Sequence, residues 1–361
     1  MSFDVKAHLK TMTEMHAPSG HEGPMRAYLR EVWAPWADEF QVDGLGSLLA
    51  TKRGDGAEPR PRIMLSAHMD EIALMVGEVR DGYARLSRIG GVDNRTLQAK
   101  SVRVHGQREL IGTVAAVPPH ISNQTGDGRS NYLPLDEQWV DFGLPAEEVA
   151  QLVRVGDLVT LDAPMLELKG DKLAGKAMDD RASVAALSHC LHLLQRRLHA
   201  WDVVAVASTQ EEVGLQGATT AAHLAEPDLA IAIDVTFAKQ PGYTPDTAPD
   251  LGKVVPLGVG PNFHPGWTGF IEKIAKEIDI KTADDPISGR SGTDAWAIQT
   301  ARQGVPTALI SIPLRNMHST VETLSLRDIT RTGRLMAEVI MALDDDTLNR
   351  IAWDAASQEE G

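Results

Sequence analysis

Continuous apolar segments are the feature that most restricts how this chain can fold. Residues 202–208 (DVVAVAS), 229–235 (LAIAIDV) and 307–313 (TALISIP) are almost entirely apolar, and residues 62–67 (RIMLSA) form a shorter segment of the same kind. A strand with one face in water alternates polar and apolar residues, whereas these segments need apolar cover on both faces. Helical patterns separate them along the chain. We therefore predict an α/β domain whose sheet is covered by helices on both sides.

Residues 73–162 have a different pattern, in which short β-like pieces such as SVRVHG and ELIGTVAAVPPH alternate with turns. Many short strands with frequent turn signals are typical of a small β-rich domain. We predict that this domain is inserted into the α/β domain. The chain would then consist of a catalytic domain, residues 1–72 and 163–361, and an inserted β-rich domain, residues 73–162.

The charge balance excludes several classes of partner. The chain has 50 acidic and 35 basic residues, a formal net charge of -15, which argues against non-specific binding to nucleic acid or to anionic membranes. Its single cysteine, Cys190, excludes an intramolecular disulfide and the usual cysteine-based zinc clusters. We read no signal peptide and no bilayer-spanning run, and expect a cytoplasmic protein.

Polar motifs follow each of the four apolar segments. The carboxyl ends of parallel strands meet at one edge of a sheet, where ligands bind. A further pair of carboxylates begins a predicted helix in GKAMDDRAS (175–183). The candidate residues are His68, Asp70, Asp179, Asp180, Glu211, Glu212, Asp234 and His318.

Two histidines and several carboxylates, without a thiolate, are a donor set that suits Zn²⁺, Co²⁺ or Mn²⁺. Two divalent ions need about eight ligand positions, and one carboxylate can bridge both. The set that fits is His68, Asp179, Glu212, Asp234 and His318.

Two further carboxylates have other predicted tasks. Successive side chains of an extended segment point to opposite sides, so Glu211 would be left to move protons while Glu212 binds metal. Asp70 lies two residues after His68 and is expected to orient its imidazole.

Each motif taken alone has an ordinary structural explanation, such as a solvated glutamate pair or a helix cap. Three other functions also remain open. A related dinuclear amidohydrolase, a deacylase or a carboxypeptidase, would use the same ligands. A glycosidase needs two free carboxyl groups about 5 to 9.5 Å apart. A non-catalytic shell protein would be expected to have lost some of the ligands.

The motifs AHMDEIALMV, GKAMDDRAS, TQEEVGLQGA, AIDVT and IPLRNMHSTVE occur in the order found in a known family. The chain resembles, over nearly its whole length, the tetrahedral (TET) dinuclear metallo-aminopeptidases, also labelled glutamyl aminopeptidase, deblocking aminopeptidase or endoglucanase. The resemblance implies a zinc-exopeptidase-like (phosphorylase/hydrolase-like) three-layer domain with an inserted PDZ-like assembly domain. It also implies a homododecamer that removes N-terminal residues from short peptides.

The resemblance further implies a role for each candidate residue. Two metal ions, zinc or cobalt, would be bound in each subunit. One ion would be held by His68, Asp179 and Asp234, and the other by Asp179 (bridging), Glu212 and His318.

Glu211 would be the general base and acid, and Asp70 would orient the first histidine. The peptide bond after Asp179 is often cis in related enzymes. Arg290, in SGRSGTDA, departs from the family pattern near the expected substrate pocket. We expect Arg290 to form a surface salt bridge, with the binding of an acidic substrate side chain as the alternative.

Overall fold

The computed structural model of the protein describes residues 3–116, 118 and 133–353. In this part of the chain the helices, in order, are α1 (Val5–Glu14), α2 (Gly23–Trp33), α3 (Ala146–Leu152), α4 (Met178–Leu194), α5 (Gln216–Ala225), α6 (Pro265–Glu277), α7 (Asp294–Ile298), α8 (Leu326–Met341) and α9 (Thr347–Ile351). The strands are β1 (Glu39–Val42), β2 (Leu48–Lys52), β3 (Arg62–His68), β4 (Ala73–Arg80), β5 (Tyr83–Ile89), β6 (Ser101–His105), β7 (Glu109–Val114), β8 (Trp139–Asp141), β9 (Leu158–Leu161), β10 (Leu166–Glu167), β11 (Lys172–Gly175), β12 (Asp202–Ser208), β13 (Leu229–Phe237), β14 (Val255–Val259), β15 (Thr282–Pro286), β16 (Thr307–Leu314) and β17 (Glu322–Ser325).

The main sheet has eight strands in the order β1-β2-β12-β3-β13-β16-β14-β15. The four predicted apolar segments form its centre, as β12, β3, β13 and β16, and they pair in parallel. Their carboxyl ends therefore lie at one edge of the sheet. The predicted α/β fold is confirmed, and the parallel pairing explains why the motifs that follow these strands meet.

Helices cover both faces of this sheet because successive residues of each strand point to opposite sides. On β13, Ile231 and Ile233 belong to a core cluster with α4, α8, α1, α2 and α6. The alternate residues Ala230 and Ala232 belong to a second cluster with α5 and α7. The bulkier residues thus face the thicker helical layer, and the alanines allow the short helices to approach closely.

A closed barrel forms a separate element, with strand order β4-β5-β8-β7-β6-β9. Its strands alternate inward apolar and outward polar residues, and buried side chains from five strands fill the interior: Val76, Leu86, Val104, Val140 and Val159. The barrel strands fall within the segment 73–162. The exact domain boundaries stay a prediction. Among the described helices, none combines the length and the apolar character needed to cross a bilayer.

Helix α4 carries two candidate site carboxylates at its start, and its position is fixed by close packing against α8. A Cβ atom added at Gly333 of α8 would lie 2.6 Å from the carbonyl oxygen of Ala186 and 2.9 Å from the His189 ring. Only a glycine allows this approach. The packing of these two helices therefore helps to set where the carboxylates lie.

We predict that Gly333→Ala destabilises the fold by about 1–3 kcal/mol, because the added methyl group overpacks this contact. Urea unfolding of the metal-free protein at fixed concentration measures the effect. Gly269→Ala in α6 is the matched control, since a Cβ there meets no atom within 4 Å. The control is expected to be neutral or stabilising by about 0.4–1 kcal/mol; equal effects of the two substitutions would contradict the prediction.

Candidate metal centre

Asp179 lies between two histidines at the carboxyl edge of the main sheet. Its Oδ1 is 3.1 Å from Nε2 of His68, at the end of β3, and its Oδ2 is 3.2 Å from Nε2 of His318, beyond β16. Each carboxylate oxygen therefore faces one imidazole. His68 and Asp179 are both buried. This is the arrangement expected of a carboxylate that bridges two cation sites.

The backbone at the start of α4 is irregular. Asp179 and Asp180 have non-helical backbone angles, and the peptide bond between them is cis, as the resemblance implies. Both residues lie in the first turn of α4, as predicted, but that turn is not a regular helical turn. Carboxylate oxygens of both residues lie in the candidate metal-binding groups around His68.

Glu211 and Glu212 lie in a turn after β12, so the prediction of an extended segment is wrong. The turn is fixed by Asp70, whose Oδ1 accepts a hydrogen bond from the backbone N–H of Glu211 (3.1 Å) and whose Oδ2 accepts one from Glu212 (3.3 Å). Oε2 of Glu211 is 3.9 Å from His68 Nε2, and Oε1 of Glu212 is 3.5 Å from His318 Nε2. The two glutamates thus face different histidines, as expected. The cause is the turn, and not the alternation of side chains along an extended segment.

Asp70 also lies 3.4 Å from Nδ1 of His68, an ion-pair distance longer than a hydrogen bond. Its Oδ2 accepts a hydrogen bond of 2.6 Å from the Ser19 hydroxyl. Asp70 is completely buried. It therefore joins the histidine at the end of β3 to the glutamate turn.

His318 is oriented by groups from two other parts of the chain. Its Nδ1 is 2.9 Å from the carbonyl oxygen of Gly91, so Nδ1 carries the proton and Nε2 is free to bind a cation. Glu322 accepts hydrogen bonds from the backbone N–H groups of His318 (2.6 Å) and Asp179 (3.1 Å). Glu322 was not among the residues predicted from the sequence; its position four residues after His318, at the start of β17, is the signal that marks it.

Asp234 and Asp180 form a second candidate metal-binding group with His68. Ligand atoms of His68, Asp180 and Asp234 are within 4.8 Å of one another, and so are those of His68, Asp179 and Glu212. Both carboxylate oxygens of Asp180 are buried without a hydrogen-bond partner among the described residues. The predicted ligand set did not include Asp180, although the doublet in GKAMDDRAS had marked it as a candidate.

The centre contains more buried carboxyl groups than its own positive charges can neutralise. Burial and the charge of Asp179 raise the pKa of Glu212 to about 8. Burial also raises the pKa of Glu211 well above its ordinary value, against the opposing charge of His68. Burial raises the pKa of Asp234 in the same way. The protein alone therefore does not supply enough positive charge for its carboxylates.

The histidines show the opposite response. Burial lowers the pKa of His318, but the contact with Asp179 and the charge of Glu212 outweigh it and raise that pKa to about 10. The same contacts lower the pKa of Asp179 despite its burial. The protonated imidazoles thus supply part of the positive charge that the carboxylates require.

These residues fit divalent cations. Carboxylate oxygens and imidazole nitrogens are ligands of Zn²⁺, Co²⁺ and Mn²⁺. Among the described residues, Oε1 of Glu212 and both carboxylate oxygens of Asp180 are buried without a protein partner. Buried polar atoms of this kind are costly unless something binds them. A cation bound by the surrounding carboxylates would neutralise them.

Two buried networks that the sequence analysis missed support the centre. Asp294 accepts hydrogen bonds of 2.6 Å from Ser66 of β3 and Ser208 of β12, directly before the site. Glu71 forms ion pairs with Lys176 (2.6 Å) and Arg181 (3.1 Å), which lie on either side of the Asp179 doublet. A charged residue buried in such a network leaves no periodic signal in a sequence.

Arg290 does not take part in the centre. Its side chain is exposed, and no ion pair of Arg290 is found among the described residues. The expected surface salt bridge is therefore not seen.

Fold and site together define a metal-dependent hydrolase. Residues 46–335 match the model of the peptidase M42 family, described as M42 glutamyl aminopeptidase. The chain belongs to this family, and it is an aminopeptidase. The resemblance to TET aminopeptidases that the motifs indicated is confirmed.

Relatives match the chain over nearly its full length. The lysyl aminopeptidase of Pyrococcus furiosus is 35% identical over 93% of this chain and 96% of its own. The crystal structure of a TET aminopeptidase from a marine sediment archaeon of the Thaumarchaeota has a TM-score of 0.90 and 32% identity, and covers 96% of this chain and 99% of its own. The TET1 peptidase of Pyrococcus horikoshii, described as assembling into a tetrahedron or a large octahedral shell, has a TM-score of 0.82 and 30% identity over 94% of this chain and 100% of its own.

We predict that the metal-free protein loses stability as the pH rises from about 5 to about 8. Burial and the charge of Asp179 raise the pKa of Glu322, like that of Glu212, to about 8 from an ordinary value of 4.5. The folded protein holds these protons more tightly than the unfolded chain, so deprotonation favours unfolding. Melting temperatures of chelator-treated protein across this pH range measure the effect.

Saturating Zn²⁺ or Co²⁺ should reduce this loss, because the cation replaces the protons that stabilised the carboxylates. Glu212→Gln is the informative variant, since it should weaken the pH dependence of the metal-free protein. A metal-free protein whose melting temperature increases over the same range would contradict the prediction.

Proposed function

We propose that this protein removes N-terminal residues from short peptides with two divalent metal ions, zinc or cobalt, in each subunit. The observation that carries the proposal is Asp179, which presents one carboxylate oxygen to His68 and the other to His318. A bridging carboxylate between two imidazoles is the central element of a two-metal hydrolytic site.

The ligands of the two ions are the residues around this carboxylate. His68, Asp179 and Asp234 would hold one ion, and Asp179, Glu212 and His318 would hold the other. We assign the bridge to Asp179, because Asp180 is grouped with His68 and Asp234 only. When bound, the metal pair lowers the pKa of a water molecule and polarises the peptide carbonyl group.

Glu211 is the proposed proton-transfer residue. Its carboxylate lies beside the first histidine, 3.9 Å from Nε2, and is not needed as a ligand. Burial raises its pKa well above the ordinary value, which suits a group that must both accept and return a proton near neutral pH. Glu211 takes the proton of the attacking water and then gives it to the leaving amine.

Asp70 is the proposed orienting residue. It lies 3.4 Å from Nδ1 of His68 and accepts hydrogen bonds from the backbone of both glutamates. A carboxylate beside a ligating histidine fixes the tautomer of its ring. Asp70 would therefore hold a metal ligand and the proton-transfer residue at a fixed separation.

The free α-amine of the substrate would bind one ion or a neighbouring carboxylate, which explains exopeptidase action. A deacylase or carboxypeptidase acts on chains with a blocked or internal amine instead. Parallel assays with free and N-acetylated peptides separate these functions. A glycosidase is disfavoured because the carboxyl groups of the centre are committed to cations.

We also propose the architecture that the TET relationship implies. The α/β part would be a zinc-exopeptidase-like three-layer catalytic domain of residues 1–72 and 163–361. The barrel of residues 73–162 would be a PDZ-like domain used for assembly into a homododecamer in the cytoplasm. The assembly described for the Pyrococcus horikoshii relative supports self-association. The names do not agree on the preferred N-terminal residue: the Pyrococcus furiosus relative is called a lysyl aminopeptidase, whereas the family is described as glutamyl aminopeptidase.

Glu211→Gln should reduce kcat for leucine p-nitroanilide by roughly 100- to 10,000-fold, because glutamine cannot accept the proton of water. The variant should still bind its metal, as measured by elemental analysis of the purified protein. Glu147→Gln, at an exposed position of α3, is the matched control and should be fully active. Retention of most activity by the Glu211 variant would show that another group is the base.

Native mass spectrometry tests the proposed assembly. We expect a particle of twelve copies of the 39.1 kDa chain. Deletion of residues 73–162 should leave smaller species, because the proposed assembly domain is then missing. A monomer or dimer of the full chain at micromolar concentration would rule out the dodecamer.

A further inference from the structure

A cavity of about 310 Å³ lies at the carboxyl edge of the main sheet, beside the metal centre. We infer that it receives the side chain of the substrate's N-terminal residue, and that Asp285 makes a basic side chain, lysine or arginine, the preferred one. This inference rests on the proposed aminopeptidase function and specifies its substrate class.

The position of the cavity places it next to a proposed metal ligand. Val235, which lines the cavity, follows Asp234 directly in β13. Ser311, which also lines it, pairs with Asp234 across the parallel β13–β16 ladder. Neighbouring strands lie about 4.8 Å apart. A substrate whose α-amine reaches the metal centre therefore has its first side chain at the mouth of this cavity.

The walls suit a side chain with a long apolar stem. Phe237 and Tyr243 lie on one side, with ring centroids 5.8 Å apart, and Ile287 and Leu309 lie on the wall with them. Phe237 is 56% exposed, so its ring offers apolar surface to a ligand in the cavity. The methylene groups of lysine or arginine pack on such surfaces while their charged ends reach polar groups.

The charge on the cavity wall is negative. Asp285 of β15 lines the cavity, and its Oδ2 accepts a hydrogen bond of 2.9 Å from the Ser311 hydroxyl. Its Oδ1 has no hydrogen-bond partner, and no cationic side chain lies within ion-pair distance, among the described residues. Asp285 is half-buried. A carboxylate that is fixed by one hydroxyl and lacks a counter-ion offers a binding position to a cation from the substrate.

Acidic and apolar side chains fit this cavity less well. A glutamate side chain would meet the like charge of Asp285, which costs binding energy. Arg290, which the sequence analysis considered for binding an acidic side chain, is exposed and does not line the cavity. A leucine side chain would fill the apolar part but would leave Asp285 without a counter-ion. We therefore expect kcat/KM to be highest for substrates with a basic N-terminal side chain, lower for apolar ones and lowest for acidic ones.

Steady-state kinetics with the p-nitroanilides of lysine, arginine, leucine and glutamate test the inference on the metal-loaded enzyme. For the wild type we expect kcat/KM to be highest for lysine or arginine. Asp285→Asn keeps the size of the side chain and should reduce kcat/KM for lysine about tenfold, as expected for a charge-assisted contact. The rate for leucine should change little, which also shows that the variant is folded.

Asp284→Asn is the matched control, because Asp284 is the exposed neighbour on the opposite face of β15 and lines a different cavity. It should leave the preference unchanged. Asp285→Lys should shift the preference toward glutamate. A wild type that favours leucine or glutamate, or a lysine preference that survives in both Asp285 variants, overturns the inference while leaving the aminopeptidase function intact. Failure to cleave any of the four substrates overturns the proposed function and this inference with it.

Discussion

The concentration of carboxylates around two histidines is the interaction on which the rest of the centre depends. Asp179, Glu212 and Asp234 are close enough that burial and mutual repulsion raise the pKa values of the last two. Without bound protons or cations such a cluster destabilises the folded protein, because the like charges are removed from water and nothing neutralises them. It is stable only with protons or cations among them. The well-packed strands of the parallel sheet hold these residues in place despite their mutual repulsion.

Buried acceptors determine where the ligand-bearing segments lie. Asp70 binds the backbone of the glutamate turn, and Glu322 binds the backbone N–H groups of Asp179 and His318. Neither carboxylate needs to touch a metal to matter. Because both hold main chain, they fix the positions of ligands that come from segments far apart in sequence. The centre is thus assembled by hydrogen bonds to the backbone as much as by its ligands.

The sequence predicted the sheet because its central strands are apolar on both faces, and it predicted their common edge because such strands run in parallel. It predicted the residues at that edge for the same reason. It did not predict the turn at Glu211, since that turn depends on hydrogen bonds to Asp70 from elsewhere in the chain. Asp294 and Glu71 were missed because a single buried acid has no pattern. The residues with which they form hydrogen bonds and ion pairs are far away in the sequence, so only the structure identifies them.

One contact connects the barrel segment to the chemistry of the centre. The carbonyl oxygen of Gly91, in the segment between β5 and β6, fixes the protonated nitrogen of His318, and a Cβ at Gly91 would lie 2.6 Å from that ring. The two parts of the chain are therefore not interchangeable modules. Grafting a different barrel onto this scaffold, or trimming its connecting loops, would alter the tautomer of a histidine that belongs to the other part.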